Sequence, residues 1–218
     1  MKKFLFFAIC VMALVFAGCD HEEPAGVSVP EAVDLGLSVK WANMNVGADF
    51  PEDYGDYFAW GETTTKETYD WSTYKWCNGS VHTITKYCTD SSYGTVDNKT
   101  VLDASDDAAA VNWGGAWRMP TKEEQDELCN NCTWTWTIQN GVNGYKVTGT
   151  NGNSIFLPAA GLRSDSSLYY AGSNGGYWSS SLLTDNTGGA YFLFFSSSDV
   201  DWYSYYRFSG HSVRPVCP

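Results

Sequence analysis

The chain has 218 residues, a formal net charge of −12, 17% charged residues and 16% aromatic residues. Nucleic acid and anionic membrane surfaces repel so acidic a chain, so neither is expected as a partner. The low charged content and high aromatic content are typical of an extracellular domain with many loops.

The first 18 residues have the pattern of a secretory signal peptide. Lys2 and Lys3 precede an apolar run, residues 4–17, that is too short for a stable membrane span. The run ends in VFAGC, residues 15–19, which resembles the lipobox of bacterial lipoproteins, where cleavage precedes a lipidated cysteine. We expect residues 1–18 to be removed and Cys19 to carry the only membrane anchor. The alternative is an ordinary cleaved signal followed by an incidental cysteine.

Residues 19–31 are expected to form a lipidated acidic linker. The sequence DHEEP that follows Cys19 resembles the surface-export signal of Bacteroides-type lipoproteins. The alternative interpretation is that this segment is only a solvated linker between the lipid and the domain. The prediction is an outer-membrane lipoprotein that is exposed at the cell surface. The remaining residues, 32–218, are enough for one domain with a substantial core.

The first half of this domain reads as two strands, a loop region and a short helix. Alternating apolar residues predict a strand over residues 35–41, and residues 57–60 predict a second strand that ends at Gly61. Residues 63–101 show no sustained period and are expected to form loops. Acidic residues followed by three alanines predict a helix over residues 103–111.

A capping box predicts the second helix. Thr121 is a suitable N-cap residue and Glu124 follows three residues later, so the helix is expected to run from Lys122 to about Asn130. Acidic residues in its first turns suit the helix dipole. No base, nucleophile or ligand set converges on this segment, so we expect its role to be architectural.

The rest of the chain reads as short strands. Strands are predicted at residues 133–138, 145–148, 154–157, 176–181, 190–195 and 212–216. The order of elements predicts an α+β fold with two short helices, a mixed, mainly antiparallel twisted sheet and long loops.

Five cysteines remain beyond Cys19, and export would permit disulfides among them. Cys77 and Cys88 flank a glycine-containing loop, while Cys129 and Cys132 form a C-x-x-C at the end of the second helix, and the pairing is left open. A redox C-x-x-C would open a helix rather than end one. The three histidines show no ligand spacing, so no zinc site and no cofactor is expected.

Six short blocks of this sequence together resemble one known family. The blocks are Val33–Gly47, Tyr54–Glu62, Val111–Leu128, Leu157–Gly161, Gly176–Ser181 and Gly210–Val216. They look like the Fibrobacter succinogenes major paralogous domain, which is common in surface lipoproteins of Bacteroides-like bacteria. The resemblance covers roughly residues 32–217. It implies a C-type-lectin-like fold, related to formylglycine-generating enzymes and to the variable receptors of diversity-generating retroelements.

The resemblance does not imply catalysis. Formylglycine-generating enzymes need a pair of cysteines near the C-terminal end, where this chain has Cys217 alone. The sequence also has no G-x-S-x-G, no H-E-x-x-H and no phosphate-binding glycine loop, so no catalytic residue is assigned. The sugar-binding tripeptides of calcium-dependent lectins, Glu-Pro-Asn and Trp-Asn-Asp, are absent. Asp199 and Asp201 are read as solvated rather than as calcium ligands, so no metal site is assigned.

The segment 164–211 is rich in Ser, Tyr, Asn, Asp and Gly, the residues of antibody paratopes. We expect Tyr177, Trp178 and Phe192 to be core, and Arg207 and Arg214 to connect the sheet to an acidic loop. The predicted ligand-binding residues form a loop face and are Tyr169, Tyr170, Asn174, Asp199, Asp201, Trp202, Tyr203, Tyr205 and Tyr206.

The predicted function is a non-catalytic, adhesin-like or receptor-like module that binds a glycan or a protein at the cell surface. Two alternatives stay open: a structural subunit of a surface assembly such as a fimbrial tip, and a divergent enzyme of the formylglycine-generating type.

Overall fold

A computed structural model describes residues 30–218 of the chain. The predicted signal peptide, Cys19 and most of the predicted linker lie outside these residues, so lipidation and export stay predictions. Among the described residues, no helix is both long and apolar enough to cross a membrane.

The described chain combines short helices with short antiparallel strands. The helices are α1 (Ala108–Trp113) and α2 (Lys122–Asn131). The strands are β1 (Ala32–Val33), β2 (Lys40–Ala42), β3 (Thr133–Gln139), β4 (Val142–Thr148), β5 (Ser154–Pro158), β6 (Leu162–Ser164), β7 (Ser167–Tyr169), β8 (Asn174–Leu182), β9 (Gly189–Ser196), β10 (Asp199–Tyr206) and β11 (Val216–Cys217). The predicted α+β class with two short helices is confirmed.

The strands form four small antiparallel sheets rather than the single mixed sheet that the sequence predicts. Their orders are β1-β2-β11, β3-β4-β5, β6-β7 and β8-β9-β10. Parallel pairing among the described residues occurs only as isolated bridges, for example between Tyr177 and Ser212. Long irregular segments connect the sheets, so most of the backbone between Ala42 and α1 has no regular partner strand.

The capping box of α2 is confirmed. The Thr121 hydroxyl accepts a hydrogen bond from the Glu124 backbone N–H, and the Glu124 carboxylate accepts one from the Thr121 N–H. Arg118 also pairs with Glu124, at 2.5 Å, and fixes the approach to the helix. The predicted first helix is shorter than expected because the Asp107 carboxylate caps α1, which splits off a 3₁₀ turn at Ala104–Asp106.

Three of the predicted strands are largely irregular. Leu35, Val39 and Trp41 are buried as the alternation indicates, yet only Lys40–Ala42 pairs as a strand. Residues 57–60 are all buried, but only Phe58 forms an isolated bridge, with His211. The apolar pattern therefore records burial correctly at both places, while the backbone hydrogen bonds go to loop partners. Of the predicted strand 212–216, only Val216 lies in a strand.

Buried Arg207 holds several loops together through neutral acceptors. Its Nε donates to the Tyr74 hydroxyl at 2.9 Å, and Nη1 donates to the carbonyls of Tyr87 at 2.9 Å and Thr187 at 3.0 Å. Nη2 donates to the carbonyl of Lys86 at 3.0 Å. The predicted contact with an acidic loop is therefore wrong, because the guanidinium satisfies buried backbone carbonyls instead.

Arg214 also donates its hydrogen bonds to neutral acceptors. Its guanidinium is buried and donates to the Asn45 side-chain oxygen at 2.8 Å and to the carbonyls of Ala42 at 3.0 Å and Phe156 at 2.9 Å. These acceptors belong to β2, to the loop after it and to β5. One side chain thus joins two separate sheets, and here too no carboxylate takes part.

All five cysteines among residues 30–218 are free thiols in this structure. The Cys77 thiol donates to the carbonyl of Trp71, and the Cys88 thiol donates to the carbonyl of Asp90, each at 3.1 Å. Neither pairing left open by the sequence is formed. Burial raises the pKa of the Cys129 thiol to about 12, which disfavours the nucleophilic thiolate at the C-x-x-C.

Arg207→Met should lower the free energy of unfolding by about 3 kcal/mol or more, because three buried carbonyls and the Tyr74 hydroxyl lose their donor. Urea denaturation of the two proteins would measure this difference. The matched control is Arg163→Met, since partly exposed Arg163 only lies over the Tyr57 ring, 5.3 Å from its centre. We expect the control to cost less than about 1 kcal/mol. Equal losses for the two variants would contradict the role given to Arg207.

Candidate ligand-binding face

The β9–β10 hairpin places aromatic and acidic side chains on one face of its sheet. The register pairs Tyr203 with Phe192 and Asp201 with Phe194, and successive side chains of a strand point to opposite faces. Residues 199, 201, 203 and 205 of β10 therefore share a face with Phe192 and Phe194 of β9. We call this surface the aromatic face; its residues are Phe192, Phe194, Asp199, Asp201, Tyr203 and Tyr205.

The rings of the aromatic face pack edge to face. Phe194 and Tyr203 have ring centres 5.5 Å apart at 87°, and Phe192 and Tyr205 have theirs 6.1 Å apart at 67°. Both tyrosines stay accessible, since Tyr203 is 45% exposed and Tyr205 is 40% exposed. Together they border a shallow depression of about 380 Å³. Cross-strand aromatic contacts of this kind hold the rings in place before a ligand arrives.

Carboxylates lie beside these rings. Asp199 and Asp201 are exposed, and the Tyr203 hydroxyl donates to the Asp199 carboxylate at 3.1 Å. That hydrogen bond raises the pKa of Tyr203 above its ordinary value, because the nearby carboxylate disfavours the phenolate. The aromatic face therefore offers flat rings, carboxylate acceptors and hydroxyl groups, and it carries no cation of its own.

A deeper cleft of about 330 Å³ adjoins the aromatic face and is shaped by glycines. Gly161 has φ of 68°, and a side chain there would collide with the backbone of Tyr169. A side chain at Gly176 would collide with the His211 ring. The residues that line the cleft are Gly161, Leu162, Tyr170, Asn174, Gly175, Gly176, Phe192, Phe194, Tyr205 and His211.

A tight turn presents Tyr170 at the edge of this cleft. Tyr170 has φ of 59°, a left-handed conformation that costs a non-glycine residue about 1 kcal/mol. Its carbonyl accepts hydrogen bonds from the backbone N–H groups of Ser173 and Asn174 and from the Ser173 hydroxyl, and these hold the turn. The ring itself is mostly exposed. Backbone strain of this kind is frequent at binding sites.

His211 lies at the base of the cleft and is completely buried. Its ring lies 4.4 Å from the ring centre of Trp178, 4.8 Å from that of Phe192 and 5.8 Å from that of Tyr205. Neither ring nitrogen has a hydrogen-bond partner. Burial lowers the pKa of His211 to about 3, so the imidazole is neutral at physiological pH and offers one N–H donor and one acceptor nitrogen.

The structure brings together most of the predicted ligand-binding residues. Tyr170, Asn174 and Tyr205 line the cleft, while Asp199, Asp201 and Tyr203 lie on the aromatic face beside it. Tyr169 contacts Tyr170, with ring centres 6.2 Å apart, but does not line the cleft.

Trp202 and Tyr206 point away from the aromatic face. Trp202 packs on Tyr191 at 5.4 Å and lies under the ammonium group of Lys122, 3.8 Å from the ring centre, at the start of α2. Tyr206 stacks on Phe208 at 5.5 Å. The reason is that β10 is a strand rather than the predicted loop, so alternation sends every second side chain to the opposite side.

The sequence reasoning missed Phe194 and His211 and assigned Phe192 to the core alone. Phe192 is indeed buried, as are Tyr177 and Trp178, but one edge of its ring borders the cleft. A signal for Phe194 was present, because it stands two residues after Phe192 in the predicted strand 190–195, which places both side chains on the same face. His211 gave no such signal, since its position depends on a bridge to Phe58 that is distant in sequence.

Comparison of the chain with protein-family models, with curated proteins and with solved structures found no match. Within residues 30–218, no group of three or more His, Cys, Asp or Glu side chains is arranged to hold a metal ion.

His211 should make the stability of the fold depend on pH. An unfolded histidine takes up a proton near pH 6.5, whereas buried His211 stays neutral down to about pH 3. Between these values the unfolded chain binds more protons, so stability falls with falling pH by up to about 1.4 kcal/mol per pH unit. His211→Phe removes this contribution. Lowering the pH from 7 to 4.5 should therefore reduce the free energy of unfolding of the variant by roughly 2 kcal/mol less than that of the unaltered chain. Urea denaturation at the two pH values would measure this difference. Parallel pH profiles would contradict the burial of a neutral ring.

Proposed function

We propose that the chain is a non-catalytic glycan-binding module of a cell-surface lipoprotein, and that the aromatic face with its adjoining cleft is the binding site. The observation that carries the proposal is the arrangement of exposed tyrosine rings beside carboxylates on one rigid hairpin. A sugar ring has an apolar face of C–H groups and an edge of hydroxyl groups. Aromatic rings cover the first, and carboxylates and amides accept hydrogen bonds from the second.

Rigidity supports the proposal. Tyr203 and Tyr205 extend from a strand that pairs along its whole length with β9, so their backbone is already ordered in the free protein. Binding then costs less conformational entropy than it would for a mobile loop. Tyrosine loses little further freedom because it has only two side-chain torsions.

The non-catalytic part of the proposal rests on the isolation of His211. A general base or a catalytic triad needs the imidazole to hydrogen-bond a nucleophile and an orienting group. His211 bonds neither, and its lowered pKa makes it a weak base at neutral pH. The half-buried thiol of Cys129, whose pKa burial raises, likewise does not favour nucleophilic chemistry.

The proposal includes a C-type-lectin-like fold and a lipid anchor at Cys19. The fold is supported by the α+β class, by the capped start of α2 after Arg118, and by the Gly176–Trp178 stretch inside β8, since the family resemblance rests on these positions. The anchor is supported by the lipobox-like sequence before Cys19 and by the acidic residues after it. Export and anchoring at Cys19 would place the aromatic face outside the cell, where glycans are abundant.

A structural subunit of a surface assembly is the second candidate, and β3 favours it. This strand pairs with β4 on one side only, and its Ile138 is 66% exposed. An open edge of this kind accepts a further strand from another chain. As a structural subunit, the chain should associate as its concentration rises, and light scattering would measure this association. Its loss in Thr135→Pro would favour assembly over glycan capture.

The first test of glycan binding is a glycan and mucin array probed with the full chain carrying Cys19→Ser, which prevents lipidation. Tyr203→Ala combined with Tyr205→Ala should weaken binding at least about tenfold, because a loss of about 1.4 kcal/mol suffices for that factor. The matched control is Tyr206→Ala, which removes an exposed tyrosine from the opposite side of the same strand. Binding that survives the double variant, or that the control abolishes equally, would contradict the proposed site.

A further inference from the structure

Arg163 is the only one of the chain's four arginines whose guanidinium has no hydrogen-bond or ion-pair partner among residues 30–218. Arg118 pairs with Glu124, and the buried guanidinium groups of Arg207 and Arg214 donate to carbonyls. Acidic partners are not scarce, because the chain has 25 aspartates and glutamates for 13 lysines and arginines. The unpaired guanidinium is therefore a candidate for ligand binding.

The position of Arg163 is fixed although its charge is unpaired. Its backbone N–H donates to the carbonyl of Gly210 at 2.8 Å, and its carbonyl accepts from the Gly210 N–H at 2.9 Å. Its guanidinium lies over the ring of buried Tyr57, 5.3 Å from the ring centre. An arginine that stacks on an aromatic ring keeps its planar fork of N–H groups, which fits the two oxygens of a carboxylate. A donor for a carboxylate is therefore in place before a ligand arrives.

Arg163 borders a cleft of about 350 Å³ that shares no residue with the cleft beside the aromatic face. Leu162 lines that other cleft, and neighbouring side chains of a strand point to opposite faces, so β6 separates the two. The volume lies at the lower end of the range of small-molecule sites, about 300–1,000 Å³, so the ligand is small. We call this cavity the Arg163 cleft; the residues that line it include Asp56, Tyr57, Lys66, Glu67, Tyr69 and Arg163.

The other cation and both phenols of the Arg163 cleft are already bonded. The Lys66 ammonium lies 3.0 Å from the carboxylate of Glu62. The Tyr57 hydroxyl donates to the carbonyl of Ala160 at 2.5 Å, and the Tyr69 hydroxyl donates to the carbonyl of Tyr57 at 2.6 Å. The guanidinium is therefore the cationic group of this cleft that is free to meet a ligand.

Two carboxylates in the Arg163 cleft are also without partners. Asp56 and Glu67 are exposed, and no other described residue donates a hydrogen bond to either carboxylate or forms an ion pair with it. Partial burial raises the pKa of Asp56 above its ordinary value, because no neighbouring cation offsets the lost hydration. An ammonium group placed in the cleft would stabilise this carboxylate.

A ligand that satisfies both sets of groups carries opposite charges. A simple carboxylate would pair with Arg163 but leave Asp56 and Glu67 unbalanced, and a phosphate or sulfate group would be repelled more strongly. We propose that the Arg163 cleft binds an amino acid or a short peptide in its zwitterionic form. The ligand's carboxylate accepts hydrogen bonds from Arg163, and its ammonium group meets Asp56 or Glu67. This site is separate from the aromatic face and does not depend on glycan binding there.

The test titrates the full chain carrying Cys19→Ser with glycine, diglycine and triglycine, because these zwitterions differ in the distance between their charges. Nuclear magnetic resonance with ¹⁵N-labelled arginine follows the Nε–H signals, of which the chain has four. At least one ligand should shift the Arg163 signal in a saturable way, while the signals of Arg118, Arg207 and Arg214 stay in place. Acetylation of that ligand's amine, or amidation of its carboxylate, should weaken binding about tenfold.

Variants identify the groups that bind. Arg163→Met should weaken binding at least about tenfold, and Arg163→Lys, which keeps the charge but loses the planar fork, should weaken it about threefold or more. The matched control is Lys146→Met, which removes the same charge from an exposed lysine in another cleft and should leave binding unchanged. Asp56→Asn combined with Glu67→Gln should weaken binding of the free ligand about fivefold or more, but not that of its acetylated form. An unchanged Arg207 signal shows that each variant is folded.

Failure of all three ligands to move the Arg163 signal would overturn the proposal, as would a Lys146→Met variant that binds as weakly as Arg163→Met. Methyl β-D-glucuronide serves as the other source of a carboxylate. If it binds at Arg163 more tightly than every zwitterion, the cleft is one for acidic sugars and the proposal is likewise wrong. None of these results alters the glycan binding expected of the aromatic face, because Tyr203 and Tyr205 lie outside the Arg163 cleft.

Discussion

The hydrogen bonds of the buried Arg207 guanidinium hold together the irregular part of this domain. Much of the chain between β2 and α1 is irregular, and buried carbonyls of irregular backbone must find donors outside a regular ladder. Arg207 supplies donors to three carbonyls from two separate loops. It also follows directly after β10, so the same contact fixes the segment that runs on to His211. There the backbone of His211 exchanges two hydrogen bonds with Phe58, which sets the base of the cleft.

This construction explains how a domain with so many loops presents the ordered aromatic face. Arg207 and Arg214 hold the irregular segments against the sheets. The stability of the core therefore does not depend on the exposed rings of the β9–β10 hairpin. Phe192 belongs to both regions, because it packs on Trp178 in the core and borders the cleft. The aromatic face is thus continuous with the packed core. Its rings are positioned before any ligand binds, which favours affinity at modest contact area.

The sequence predicted the elements whose determinants are local. The capping box at Thr121 and the alternation of β3 each involve neighbouring residues, and both are confirmed. The prediction of a strand at residues 57–60 was wrong, because a short run of buried apolar residues gives the same sequence pattern in a strand and in a buried loop. β10 was predicted to be a loop because its aspartates, tyrosines and one serine form no buried apolar face: one side is exposed and the other is at most half-buried. Six of the nine predicted ligand-binding residues lie on the aromatic face or in the cleft. Composition identifies the segment, but only the strand register shows which of its side chains point to the aromatic face and which point to the opposite side. His211 depends on a bridge that links distant parts of the chain, which no local pattern reveals.

The proposed function requires a glycan to contact the aromatic face and not the opposite side of β10. The most direct measurement is fluorine nuclear magnetic resonance of the chain labelled with 3-fluorotyrosine, with signals assigned from Tyr→Phe variants at positions 203, 205 and 206. Mucin-derived O-glycans are added in increasing amounts. We expect the signals of Tyr203 and Tyr205 to move in a saturable way while that of Tyr206 stays in place. Movement of the Tyr206 signal while the Tyr203 and Tyr205 signals stay in place would contradict the proposed binding site.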